Sequence, residues 1–245
     1  MLFDCVAVFL YKVFQIERVS VDFMKTFAEK HWGDCSKAVA YQLNFVQMCN
    51  SYPTDCYNDY YELCPECGSD MRQNRDYEYP KSSFSKKDYY QLDTYDMCVS
   101  EKLKKDMFAF GIAEDNFRPV YTRKHDVVLG YQIAPKNVLP SIADYNAEEQ
   151  IFHCKKCGIR KFEIAKAYDD AYFASYNRLG TPVYISNEVY EALQDINCCY
   201  EERCNVIISL DLYNYLIEKY PRLECRPVFI GNIKDDPEFR KHLNR

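Results

Sequence analysis

Glycine is scarce in this chain, with seven residues in 245. That leaves little material for a loop that cradles phosphate, and the sequence holds no Gly-x-Gly-x-x-Gly, no P-loop and no Gly-x-Ser-x-Gly turn. Histidine is as thinly spread: none of His31, His125, His153 and His242 stands in the His-x-Glu spacing that a zinc deaminase requires. Carboxylate pairs such as Asp169-Asp170 and Asp235-Asp236 read as solvated turns, so the expectation is a protein without catalysis. An excess of positive charge is also missing. Lys and Arg total 31 against 37 Asp and Glu, a net charge of −6, which argues against a phosphate backbone as the main partner. No run approaches the ~18 apolar residues needed to cross a bilayer, so no membrane partner is expected. The stretch Met1–Leu10 is apolar but carries Asp4 and no basic leader; residues 2–14 read as a buried strand.

Against these shortages stand 48% hydrophobic residues, 23 Tyr, 15 Phe and 13 Cys. The hydrophobic share is that of a globular chain. Tyrosine joins an apolar ring to a polar tip, which suits sheets, half-buried surfaces and interfaces. The cysteine count is odd, and the clearest pairs have metal spacing rather than a disulfide framework. A reduced, cytoplasmic setting is therefore expected.

Those pairs organise the chain. Cys64-Pro65-Glu66-Cys67-Gly68 and Cys154-Lys155-Lys156-Cys157-Gly158 are matched Cys-x-x-Cys-Gly knuckles. Two thiolates three residues apart can chelate one ion, and the following glycine permits the tight turn that aims backbone N–H groups at sulfur. Together Cys64, Cys67, Cys154 and Cys157 make a four-cysteine set for one structural zinc ion, closed to water and substrate. The knuckles begin 90 positions apart, far beyond the ~15–20 of a compact ribbon, so a structured insertion must separate them. Two unrelated turns, or a redox dithiol with a reversible Cys64–Cys67 disulfide, are the competing readings. His153 beside Cys154 reads as a strand residue rather than a ligand. Cys5, Cys35, Cys49, Cys56, Cys98 and Cys225 read as buried thiols, and Cys198, Cys199 and Cys204 as a packed loop rather than a second metal site.

Periodicity predicts a helix over Val21–Ala28 capped by Ser20 and stopped near Gly33, and a strand from Ala40 within 38–49. A helix over Val99–Phe110 ends at Gly111, and strands Phe117–Tyr121 and Val127–Ile133 flank a polar turn. Short strands, 149–153 and Lys161–Ala165, flank the second knuckle, and residues 81–96 read as a polar loop. In the last third, Val183–Leu193 and Val206–Leu216 repeat a strand, a capping Ser and a short helix, 23 residues apart, and Val228-Phe229-Ile230 follows. Val189, Tyr190, Leu193 and Ile196 form the apolar stripe of the first copy. The expected class is α+β: a zinc-ribbon-like four-cysteine site with a long insertion, then a C-terminal β-α-β-α-β segment. The expected divisions are 1–60, an N-terminal segment packed on the core; 61–165, the ribbon region; and 166–245, the repeat region.

Acidic residues and tyrosines interleave at Asp59, Tyr60, Tyr61 and Glu62, and again at Asp88, Tyr89, Tyr90 and Asp93. Such a surface suits a basic protein partner, with carboxylates steering encounter and rings supplying contact area. The first knuckle followed by Tyr79-Pro80, then the distant second knuckle and the strand-Ser-helix segment Val183–Leu193, resemble the double-CXXCG family of bacterial immunity proteins. These accompany polymorphic toxins and protect the producing cell. The resemblance implies that Cys64, Cys67, Cys154 and Cys157 are zinc ligands, and that the chain binds and neutralises a cognate toxin. The alternative is a zinc-ribbon module that binds nucleic acid or the transcription machinery, using Lys155, Lys156, Arg160 and Lys161.

Overall fold

The computed structural model describes residues 25–45, 49, 53, 55, 57–81, 84, 87–175, 180–201 and 204–243. The strand expected over 2–14, with Cys5 and Cys56, lies outside them, as do residues 21–24 of the helix expected over Val21–Ala28. What is described of that helix starts later. Thr26 and Glu29 form a reciprocal capping box, Glu29 N–H donating to Thr26 Oγ1 (3.2 Å) and Thr26 N–H to Glu29 Oε2 (2.8 Å), so helix α1 runs Phe27–Trp32 and stops at Gly33. Strand β1, Ala40–Leu43, follows and is buried along its whole length.

Next come β2 (Tyr61–Leu63), β3 (Asp70–Gln73), β4 (Glu78–Tyr79), β5 (Tyr89–Gln91) and β6 (Met97–Val99). The polar loop expected over 81–96 thus contributes a strand, because Tyr90 and Leu92 are drawn into the core. Helix α2, Glu101–Phe110, keeps its expected stripe but starts two residues after Val99, which belongs to β6, because Ser100 Oγ caps it by accepting from Leu103 N–H; Leu103 and Met107 are buried, and Gly111 ends it at φ 122°. Strands β7 (Phe117–Thr122), β8 (Val128–Ile133) and β9 (Asn137–Val138) precede the second knuckle, which lies between β10 (Glu148–His153) and β11 (Arg160–Ile164). The remainder is α3 (Asp169–Ser175), β12 (Val183–Ile185), α4 (Asn187–Glu191), β13 (Ile196–Cys198), β14 (Val206–Ser209), α5 (Leu210–Lys219), β15 (Cys225–Ile230) and α6 (Pro237–Leu243). None of these helices is long and apolar enough to cross a membrane.

The class is mixed α+β, with four sheets among the described residues. One has six strands in the order β12-β15-β1-β14-β13-β9, another has five in the order β4-β7-β8-β6-β5, and β2-β3 and β10-β11 are separate hairpins. The C-terminal segment differs from the expected β-α-β-α-β. Ile196 belongs to a strand rather than to a helical stripe, so the order is β-α-β-β-α-β. The reason is Asn197, which is fully buried. Its Nδ2 donates to Gln194 C=O (2.7 Å) and Ile207 C=O (3.0 Å), and its Oδ1 accepts from Gln194 N–H (2.9 Å) and Asn137 Nδ2 (2.6 Å). Those bonds hold an extended chain after α4 and leave Tyr190 exposed. Both serine caps form as read: Val189 N–H donates to Ser186 Oγ and Leu212 N–H to Ser209 Oγ, each at 3.1 Å. The two repeat strands, β12 and β14, are not neighbours. β15 and β1 lie between them, and β1 runs antiparallel to both β14 and β15.

The largest core cluster joins the two main sheets through α2 and α5. It includes Met97 and Val99 of β6, Leu103 and Met107 of α2, Val206 and Ile208 of β14, and Leu212 and Leu216 of α5, with Tyr41 stacked on Tyr213 at 3.6 Å. A second cluster uses tyrosine as its building block: Tyr60, Tyr77, Tyr79 and Tyr90 pack with Leu92, Cys98 and Val120. The Tyr77, Tyr79 and Tyr90 hydroxyls are bonded within it, to Asp96, Asp93 and Cys98, while the Tyr60 hydroxyl is buried without a partner. Tyr77 OH donates to Asp96 Oδ2 (2.8 Å) and meets Tyr61 OH (2.6 Å), while Thr94 Oγ1 and Gln132 Nε2 also donate to Asp96.

Candidate metal centre

Each knuckle is the turn of a hairpin. Cys64 follows β2 and Cys154 follows β10, and both ladders shift register on the strand before the cysteine, between Glu62 and Leu63 and between Gln150 and Phe152. In the first, Gly68 N–H donates to Cys64 C=O (2.8 Å) and Cys64 N–H to Ser69 C=O (2.8 Å). In the second, Gly158 N–H donates to Cys154 C=O (2.9 Å) and Cys154 N–H to Ile159 C=O (2.9 Å). The glycines adopt φ 70° and 74°, the left-handed turn that an L side chain rarely takes, with open space where a Cβ would stand. The two turns are therefore the same device built twice.

Their docking brings four sulfurs together across the 90-residue separation. Cys64 Sγ lies 3.8 Å from Cys154 Sγ, Cys67 Sγ lies 3.8 Å from Cys157 Sγ, and all four lie within 4.8 Å of one another. A disulfide would need ~2.05 Å. A tetrahedral ion with metal–sulfur bonds of ~2.3 Å has sulfur–sulfur edges of ~3.8 Å. Cys64 and Cys154 are buried, and Cys67 and Cys157 half-buried. Among the described residues this is the one cluster of ligating side chains that could hold a metal ion, and the spacing fits one.

Hydrogen bonding around the sulfurs also fits. The Ser69 side chain and backbone N–H hold Cys67 down at about 6, against burial that raises it. Ser69 Oγ is buried with no hydrogen-bond partner in place, which leaves its proton to turn to the Cys67 sulfur. At Cys157 the Ile159 N–H favours the thiolate, but burial and the bonds to Cys154, Cys64 and Cys67 push the thiol up to about 12. Four thiolates so close together repel one another unless a cation is shared among them. Sequence reading missed Ser69; its signal was a hydroxyl directly after the Cys-x-x-Cys-Gly turn, where the second knuckle has Ile159.

Other sequence-nominated residues fall elsewhere. His153 is exposed on β10 and outside the sulfur cluster. Cys198 and Cys199 are buried and Cys204 half-buried, and no metal-binding group forms around them among the described residues. Cys35, Cys49, Cys98 and Cys225 are buried thiols, and burial drives the last two well above the ordinary thiol range.

The acidic–tyrosine set divides. Tyr60 and Tyr90 are 0% and 1% exposed, so both are core residues and drop out of any contact surface: the rings exclude water within the tyrosine cluster. Asp93 is engaged by Tyr79 OH and Asp88 by Ser100 Oγ and Lys102, which spends part of their charge internally. Tyr61 and Tyr89 are half-buried, the latter donating to Arg222 C=O (2.5 Å), while Asp59 and Glu62 are exposed. No protein-family model and no curated protein matches the chain.

Proposed function

We propose that this chain is an immunity protein that binds and neutralises a cognate bacterial toxin in the cytoplasm, with one zinc ion as an internal staple of a zinc-ribbon-like clasp. The observation that carries the reading is the pair of Cys-x-x-Cys-Gly knuckles meeting sulfur to sulfur. That pair is also the motif on which the resemblance to double-CXXCG immunity proteins rests. Zinc is the metal assigned because a closed set of four thiolates suits a soft-tolerant ion without redox chemistry or geometric demands. A closed site ties the chain together and leaves no position for substrate, so function falls to binding surfaces and the protein is not an enzyme. On the reading from sequence, the toxin is basic at its contact, and it is met by exposed Asp59 and Glu62 with half-buried Tyr61, Asp88, Tyr89 and Asp93 as a flanking set.

The experiment pairs this chain with the toxin encoded beside its gene. Co-expression restores growth to cells making that toxin, and the two proteins co-purify. Unchanged killing in cells that accumulate the folded, zinc-loaded chain overturns the proposal.

A further inference from the structure

The β10-β11 arm exposes side chains on both faces. Every residue from Glu149 to His153 is exposed, with Ile151 at 51% and Phe152 at 39%, and Arg160, Lys161 and Glu163 are exposed on the return strand. Among the described residues the arm joins no other sheet. Its knuckle end is basic: Lys155 and Lys156 occupy the turn and are exposed, and Arg160 and Lys161 follow it. None of these four cations forms an ion pair among the described residues.

Register places rings beside these charges. Phe152 pairs with Lys161 and His153 with Arg160 across the ladder. Directly opposed residues share a face with Cβ atoms ~4.5–5.5 Å apart, so each face presents one ring and one cation together. Arg160 also sits over the Tyr200 ring, 5.5 Å from its centroid, and Tyr200 is itself 37% exposed. Water-exposed rings alternating with unpaired cations suit a ligand that carries both negative charge and flat apolar faces.

We propose that this arm binds single-stranded nucleic acid, with phosphates on Lys155, Lys156, Arg160 and Lys161 and unstacked bases against Phe152 and the Arg160–Tyr200 pair. An acidic peptide would use the cations and leave the rings idle. A lipid surface would want the apolar residues at the tip, where the lysines are. A duplex keeps its base faces stacked and out of reach. The net charge of −6 does not forbid this, because screening over ~8 Å at physiological salt separates the tip from distant carboxylates. The facing first knuckle, with Glu62 and Glu66 exposed, confines the strand to the basic arm. This surface is separate from the proposed toxin contact, which uses Asp59, Tyr61, Glu62, Asp88, Tyr89 and Asp93.

The test is fluorescence anisotropy of the metal-loaded full chain with labelled oligouridylate and oligothymidylate of about 15 nucleotides, a duplex of matching length, and polyglutamate as competitor, across about 25–200 mM NaCl. Saturable binding of a single strand is expected, with log K falling against log salt at a slope of about −3, since four cations contribute about −0.7 each. Changing Lys155, Lys156 and Lys161 together to Ala lowers the slope to about −1. Phe152→Ala weakens binding about tenfold with the slope unchanged. Metal content and Tm are checked for each variant; should the triple variant fail to fold, the wild-type slope and Phe152→Ala decide. The comparison of uridylate with thymidylate reports whether RNA or DNA is preferred. No saturable binding at low salt, equal affinity for the duplex, displacement by polyglutamate at matched charge, or no effect of Phe152→Ala each overturns the proposal.

Discussion

Single side chains decide more here than the motifs advertise. Ser69 is the sharpest case: a buried hydroxyl beside the Cys67 sulfur, matched by Ile159 in the other knuckle. Outer-shell partners of metal ligands are worth roughly 10–100-fold in affinity. Ser69→Ala is therefore expected to weaken zinc retention about tenfold in competition with a chromogenic chelator, while the metal-loaded fold persists; unchanged competition would remove Ser69 from the site. Asp96 supplies a pH signature. Burial raises it above the ordinary carboxylate value despite donors from Thr94, Tyr77 and Gln132. The folded state then holds the proton more tightly than the unfolded chain, so Asp96 costs stability as pH rises through its folded pKa. Wild type is expected to lose stability relative to Asp96→Asn across that rise, read by urea unfolding at a series of pH values. A difference that stays flat with pH would contradict it.

At the scale of elements, capping and turn chemistry were readable because they are local. Ser186 and Ser209 each accept the hydrogen bond expected of an N-cap, and Gly33 and Gly111 end their helices. Ser209→Ala is expected to cost about 1 kcal/mol by thermal or urea unfolding; a loss under a few tenths would show that packing of α5, through Leu212 and Leu216, suffices without the cap. Strand β13 was not readable. Ile196 fits a helical stripe by spacing, and pairing with β14 and β9, together with bonds from Asn197 to Asn137 and Ile207, 60 and 10 residues away, holds it extended. The same holds for the tyrosines. Composition showed an excess suited to sheets or surfaces, but whether Tyr60 and Tyr90 face water or Val120 and Leu92 depends on which strands meet.

For the whole molecule, the sulfur cluster ties residue 64 to residue 157 and so closes a loop that contains the five-stranded sheet. Metal binding and folding should be one event for that region. Cys157→Ser, or removal of the ion by a strong chelator, is expected to lower Tm by many degrees and reduce soluble yield, followed by calorimetry and by metal analysis that finds about one zinc per folded chain. A metal-free wild type with an unchanged transition would refute the staple.

What the sequence determined by itself is what neighbouring residues can enforce: two Cys-x-x-Cys-Gly turns, serine caps, glycine stops, and the strands on either side of the 123–126 turn. These depend on bonds spanning a few residues, and the same residue types produce them in any surroundings. Tertiary structure decided the remainder. It brought the 90-residue-distant knuckles to 3.8 Å, inserted β1 and β15 between the repeat strands, buried Tyr60 and Tyr90 of the eight-residue acidic–tyrosine set, and left the cations of the second knuckle without an ion pair among the described residues, beside exposed rings. Each of those outcomes turns on burial and charge pairing between distant segments, which local pattern does not encode.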